Sequence, residues 1–158
     1  MIPPAEEQGS GPAPFTALPP HLRPSLVAIV VVGGTLGTAA REALSLAIPS
    51  PGSFPLAIFL INVSGSFALG LLLEMLTHGG PDAGRRRSAR LLAGTGFLGG
   101  FTTYSALATD TDLLFRAGDV STGILYAVGS LFLGIAAAAL GIVVSSRRRH
   151  RGVGTVGV

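Results

Sequence analysis

The middle of the chain contains one unusual stretch, Gly94-Thr95-Gly96-Phe97-Leu98-Gly99-Gly100-Phe101-Thr102-Thr103-Tyr104-Ser105. A glycine pair and then four hydroxyl residues interrupt a run that is otherwise apolar and uncharged. Because glycine weakens a helix, this composition predicts a break in one. Within a membrane, unwound backbone is tolerated only where it is buried in protein or lines a cavity, and its free carbonyl groups can hold an ion.

The same stretch has a second interpretation, which is close helix packing. Gly96 and Gly100 have the spacing of a GxxxG motif, whose small residues let two helix backbones approach each other. That interpretation explains the glycines. It does not explain the group of hydroxyl residues that follows, Thr102, Thr103, Tyr104 and Ser105.

The composition of the chain is that of a membrane protein. The 158 residues are 48% hydrophobic and only 12% charged, which is about half the charge of an ordinary soluble domain, and the mean hydropathy is +0.61. This apolar content excludes a disordered or nucleic-acid-binding chain, despite a pI of about 10.6. The lack of cysteine in the sequence excludes disulfide scaffolds and thiol catalysis.

Most of the chain falls into four apolar runs, at residues 26–48, 54–76, 91–115 and 123–146. Each run is long enough to cross the roughly 30 Å hydrocarbon layer as a helix. A helix is expected because backbone polar groups in lipid must be paired within their own segment. The predicted fold is therefore an all-α integral membrane protein of four transmembrane helices, with a break in the third.

The arginines predict how these helices are oriented. All eleven basic residues are arginine, and nine of them lie on the face that both termini share with the loop between the second and third runs. These nine are Arg23, Arg85, Arg86, Arg87, Arg90, Arg147, Arg148, Arg149 and Arg151. The other face has only Arg41 and Arg116. By the positive-inside rule, we expect a multi-pass membrane protein with both termini in the cytoplasm.

The segments outside the apolar runs are short. We predict a disordered Pro-rich cytoplasmic tail over residues 1–24, a four-helix membrane domain over residues 25–146 and a basic cytoplasmic tail over residues 147–158. Loops of this size leave no room for a soluble catalytic domain. Asp110 and Asp112 point to different sides of one helix, which is poor geometry for paired acid–base work. We therefore expect no enzymatic activity.

Uncharged polar residues within the runs are the candidate functional groups. Asn62 places an amide in the second run, where it needs hydrogen-bond partners or a wet cavity. For a lone asparagine, a hydrogen bond between helices is the simpler explanation. Tyr126, Ser130 and Gly134 lie on one face of the fourth run, and a seam of small packing residues competes with a functional role for them.

Taken together, the four runs resemble the CrcB/Fluc family of fluoride channels. The resemblance covers nearly all of residues 26–146. Its motifs are Gly33, Gly34, Gly37 and Arg41 in the first run, Asn62, Gly65, Phe67 and Gly70 in the second, residues 96–105 in the third, and Tyr126 and Ser130 in the fourth. The family usually has phenylalanine at the positions of Tyr104 and Leu107, and glutamate at the position of Asp110.

The resemblance implies an antiparallel dimer with two narrow pores built from both subunits. It implies a structural sodium ion, not transported, that is held by the backbone carbonyls of Gly99 and Thr102. Asn62 would donate a hydrogen bond to fluoride, and the edge of the Tyr104 ring would face the anion. A polar track along the pore would be formed by Thr103, Ser105, Tyr126 and Ser130.

The function implied is that of a subunit of a passive, fluoride-selective channel in the plasma membrane, which exports fluoride from the cell. Two alternatives remain open. One is a structural partner subunit that conducts poorly, because Leu107 has no aromatic edge. The other is a small proton-coupled exporter, which would want a carboxylate in the middle of a run. Because a nine-to-two arginine bias fixes one orientation, we expect a heterodimer with a related subunit of opposite bias rather than a homodimer.

Overall fold

The computed structural model describes residues 23–50, 52–77 and 82–153, with side chains described as far as Arg147. Its helices are α1 (Pro24–Ala47), α2 (Leu56–Thr77), α3 (Gly84–Ala89), a π-helix (Arg90–Leu98), α4 (Gly99–Phe101), α5 (Tyr104–Arg116) and α6 (Val120–Val153). Within these ranges there are helices and connecting turns but no strands, which confirms the all-α class. Most of the predicted Pro-rich tail and the last residues of the basic tail lie outside the described residues.

Three helices are long and apolar enough to cross a membrane, namely α1, α2 and the part of α6 over Val120–Arg147. They confirm that the chain is an integral membrane protein. The third predicted run does not form a single long helix, because it is divided among the π-helix, α4 and α5. The fourth membrane crossing therefore stays a prediction. The basic residues after position 146 continue α6 as far as Val153.

The helix α1 packs directly against the π-helix and α4, backbone to backbone. A methyl group at Gly37 would overlap the backbone of Phe97, and a methyl group at Gly100 would overlap the Gly34 carbonyl. A methyl group at Gly96 would lie 2.9 Å from the Cα of Gly33 on the facing helix. The interpretation that Gly96 and Gly100 allow two helices to pack closely is therefore confirmed.

A second close interface joins α2 to α6. A methyl group at Gly70 would overlap the backbone of Ala138, and a methyl group at Gly141 would overlap the carbonyl of Phe67. In lipid, dispersion contacts of this kind drive helix association, because the hydrophobic effect does not distinguish lipid from an apolar side chain. The fold thus consists of two helix pairs, each joined by glycines.

The turn between α1 and α2 and the turn between α5 and α6 lie at the same end of the bundle and are joined through Asp119. Its carboxylate accepts a hydrogen bond from the backbone N–H of Thr122 at 3.3 Å, which caps α6, and another from the Ser53 hydroxyl at 2.9 Å. Hydrogen bonds from Thr122 and Ser53 hold the pKa of this carboxyl below its usual value. The link between the turns therefore contributes stability above the usual aspartate range and loses it as the pH falls through the lowered pKa.

We predict that Gly37→Ala destabilises the protein by about 1–3 kcal/mol, because the added methyl group forces α1 away from Phe97. Gly129→Ala is the matched control, since a methyl group at Gly129 in α6 meets no atom within 4 Å. The free energy of unfolding in detergent, measured by denaturant titration, checks this. Equal stability of the two variants would show that the α1 interface is loose.

Candidate functional site

The helical chain is interrupted after Phe101. Thr102 and Thr103 are extended, with φ/ψ of −80°/151° and −147°/122°, and α5 begins at Tyr104. The Thr102 hydroxyl and N–H both donate to the Leu98 carbonyl, at 2.8 and 3.0 Å, which closes the last turn of the helix before the gap. Thr103 Oγ1 accepts from the Ala106 N–H at 3.2 Å and caps α5.

The glycine pair does not itself unwind. Gly99 and Gly100 are helical, so the interruption lies two residues later than the pair on which the sequence prediction rested. The physical reason is that Gly100 packs against the backbone of Gly34, where a side chain would not fit. The extended residues are threonines, whose branched side chains favour that conformation.

Asn62 on α2 holds the interrupted backbone in place. Its Nδ2 donates to the Thr103 carbonyl at 3.0 Å, and its Oδ1 accepts from the Thr103 N–H at 2.8 Å. One side chain thus satisfies both backbone polar groups of an extended residue that has no helical partner. The amide nitrogen has two N–H donors, so this pairing uses only one of them.

The backbone carbonyls of Gly99 and Thr102 are among those that lose their helical partners at the interruption. The Thr103 N–H, which an uninterrupted helix would direct at the Gly99 carbonyl, donates to Asn62 instead. The Ala106 N–H, the corresponding partner of the Thr102 carbonyl, donates to Thr103 Oγ1. Uncharged carbonyl oxygens released in this way are ligands that suit a hard cation.

A third carbonyl at the same place is already paired. The Gly100 carbonyl accepts from Thr38 Oγ1 and from Arg41 Nε, each at 3.4 Å. In the sequence, Arg41 counts only as a motif residue and as one of two arginines on the less charged face, and neither role predicts this contact. A guanidinium at the carboxyl end of a helix interacts favourably with the helix dipole, and the position of Arg41 inside the first apolar run was the available signal.

A groove of about 760 Å³ opens beside the interruption, between α2, α5 and α6. Four of the six side chains predicted to line a pore share it, namely Asn62, Thr103, Tyr104 and Ser130. Leu107, which replaces an aromatic residue expected from the resemblance, lines it too. Ser105 lies outside the groove but its hydroxyl is 3.0 Å from Thr103 Oγ1.

Tyr126, the remaining predicted pore residue, is packed inside the subunit. Its side chain is 1% exposed, its ring meets Phe54 edge-on at 5.6 Å, and its hydroxyl donates to Asp110 Oδ2 at 3.2 Å. In this chain Tyr126 therefore joins α6 to α5. Its spacing along α6 placed it on the same face as Ser130, but only the packing of Phe54 shows that the ring turns inward.

Ser130 has an unpaired hydroxyl in the wall of the groove. The residue is 5% exposed, and its Oγ has no hydrogen-bond partner among the residues that the structure describes. A buried hydroxyl without a partner costs free energy, which a ligand or a second chain could recover by bonding to it. In the described part of the chain, no three His, Cys, Asp or Glu side chains come together as a metal site.

Comparisons with known proteins agree with this architecture. Residues 28–142 match the family profile described as "CrcB-like protein, Camphor Resistance (CrcB)". The chain is 52% identical over 137 residues to "Fluoride-specific ion channel FluC 2" of Leifsonia xyli, covering 84% of this chain and 94% of that relative. It is 44% identical over 131 residues to "Fluoride-specific ion channel FluC 1" of Cutibacterium acnes, covering 79% and 92%. The profile spans every residue that lines the groove, and on these grounds the chain belongs to the CrcB/Fluc family of fluoride channels.

Proposed function

We propose that this chain is a subunit of a passive, fluoride-selective channel that exports fluoride across the plasma membrane. The observation that carries the proposal is the groove, where Asn62, Thr103 and Ser130 place uncharged hydrogen-bonding groups beside a helix interruption. The relatives named fluoride-specific channels support the choice of ion. Both termini are proposed to lie in the cytoplasm. The inside-negative membrane potential would drive the anion out without coupling to another ion.

The chemistry of the groove suits a small, strongly hydrated anion. A pore for fluoride must replace water with donors, and hydroxyl and amide groups donate without the fixed charge that would trap the ion. The second N–H of Asn62 and the Ser130 hydroxyl are two donors that the hydrogen bonds of the described residues leave over. The Tyr104 ring, 82% exposed at the groove, offers a weakly positive edge.

The carbonyls of Gly99 and Thr102 are the proposed ligands of a structural sodium ion. Support comes from the loss of their helical partners and from the engagement of the neighbouring Gly100 carbonyl by Arg41. Sodium bound there would hold the end of α4 and would remain with the protein during transport. Two carbonyls are too few to complete a coordination shell, so the ion would sit where a second subunit supplies the rest.

The subunit is proposed to work in an antiparallel dimer. The groove is open on one side, and a partner in the opposite orientation would complete its wall. The split of nine arginines to two is expected to fix this chain with its termini inside, so a related chain of opposite bias is the favoured partner. A poorly conducting role within such a heterodimer is the second candidate function, because Leu107 lines the groove without an aromatic edge.

We predict that liposomes containing this chain and a related subunit of opposite arginine bias release fluoride but retain chloride. Efflux followed with ion-selective electrodes, with the proton gradient collapsed by a protonophore, measures this. The chain alone is expected to give much slower efflux. Full efflux from the chain alone would establish a homodimer, and efflux that stops with the protonophore would establish a proton-coupled exporter instead.

We predict that Asn62→Leu lowers fluoride flux at least tenfold. The substitution removes the donor and also leaves both backbone groups of Thr103 unpaired, which costs about 1–3 kcal/mol of stability for each group. Ser64→Ala is the matched control two residues further along α2, because the Ser64 hydroxyl bonds only to the Ile61 carbonyl of its own helix. Flux equal to the control in correctly assembled protein would show that Asn62 only packs.

We predict that sodium raises the thermal stability of the assembled protein without crossing the membrane. A tenfold excess over the dissociation constant stabilises by about 1.4 kcal/mol, which a melting curve in sodium against N-methylglucamine detects. Tracer ²²Na⁺ is expected not to enter loaded liposomes. Identical melting curves in the two salts would remove sodium from the proposal while leaving fluoride conduction untouched.

A further inference from the structure

A second cleft, of about 430 Å³, shares no lining residue with the groove. Its walls are apolar and come from the first turns of α1 and the start of the π-helix. They are formed by Leu26, Val27, Val30, Val31 and Leu91. Val27 and Val31 are 47% and 59% exposed, so this part of α1 has a wide apolar surface that no described residue of the chain covers.

The rim of the cleft is basic. Arg87 and Arg90 line it together with Asp82. Residues 82–90 contain four arginines and one aspartate, which is a net charge of +3 within nine residues. The cleft therefore combines an apolar wall with an excess of positive charge at one end.

Asp82 leaves several N–H donors of Arg87 and Arg90 unpaired. Asp82 contacts Arg90 through Nε at 3.2 Å and Nη2 at 2.7 Å, and Arg87 donates through its Nε to the Asp82 backbone carbonyl at 3.1 Å. A hydrogen bond from Arg90 lowers the pKa of the Asp82 carboxyl, so the carboxylate stays ionised and fixes the Arg90 side chain at the rim. The outer nitrogen Nη1 of Arg90 and both terminal nitrogens of Arg87 keep their donors for another acceptor.

The cleft lies where the apolar run of α1 begins beside the arginine cluster, which is where the headgroup and upper acyl chain of a phospholipid are expected. The apolar run of α1 begins just after Arg23, at the level where the arginines of residues 85–90 are clustered. From Leu26 to Val31 the helix rises about 7.5 Å, which is the depth of a glycerol group and the first methylenes of an acyl chain. A phosphate would then meet the guanidinium groups while the chain runs along Val27 and Val31.

We propose that this cleft binds one anionic phospholipid, with its phosphate on Arg87 and Arg90 and its upper acyl chain against α1. Charge complementarity selects the anionic headgroup, because an excess positive rim attracts it by about fivefold in affinity for each arginine engaged. The apolar wall selects a lipid over a free anion. The site is separate from the groove, so it is independent of the proposed fluoride conduction.

Fluorescence quenching tests this proposal directly, because the chain contains no tryptophan. Val32→Trp places the only indole beside the cleft without filling it, since Val32 is exposed next to Val31. Leu140→Trp is the matched control, on an exposed position of α6 at a similar distance from the basic end. The full chain is reconstituted with brominated phosphatidylglycerol or with brominated phosphatidylcholine, and the two degrees of quenching are compared.

We expect brominated phosphatidylglycerol to be preferred at Val32→Trp by about fivefold or more, and by much less at Leu140→Trp. Adding Arg87→Gln is expected to remove most of the preference, and Arg87→Lys to keep part of it. Arg116→Gln, which affects an exposed pair with Asp112 far from the cleft, is expected to change nothing.

Three outcomes would overturn the proposal. Equal preference at the two tryptophan positions would mean general attraction of anionic lipid to the basic face. No preference at Val32→Trp would mean that the cleft is only an apolar surface, or that a second subunit covers it. Loss of the preference on adding millimolar inorganic phosphate would mean that the arginines bind a free anion and not a lipid.

Discussion

The pairing of Asn62 with the backbone of Thr103 is the interaction on which the rest of the site depends. Two hydrogen bonds of 3.0 and 2.8 Å replace those that a helix would have made, and in a membrane an extended residue needs such a replacement. The pairing accounts for the end of α4, the start of α5 and the carbonyls released between them. It also brings the Asn62 amide to the groove, where its second N–H remains for a ligand.

Glycine packing positions the helix end before the interruption. Because Gly37 and Gly100 let α1 lie against the backbone of the third run, Arg41 reaches the Gly100 carbonyl from a neighbouring helix. The Gly100 carbonyl is thereby paired, while the carbonyls of Gly99 and Thr102 remain available to a cation. A side chain larger than hydrogen at either glycine would separate the helices, and Arg41 would lose its partner.

The arginines have two proposed roles that the sequence alone cannot separate. Their uneven distribution predicts orientation, and this argument needs only their number on each face. The structure adds that Arg87 and Arg90 stand at the rim of an apolar cleft and that Asp82 orients them. The same residues can therefore orient the chain during insertion and hold an anionic lipid afterwards.

The sequence by itself determined the membrane class, the helical apolar runs, the family and the polar stretch around residues 94–105, because hydropathy and motif spacing are local properties. Only the tertiary structure decided where the helix opens, since Gly100 stays helical against Gly34 and the gap moves to Thr102 and Thr103. It likewise turned Tyr126 inward against Phe54 and Asp110. These outcomes depend on which atoms of distant segments approach each other, and helix spacing along one run carries no information about that.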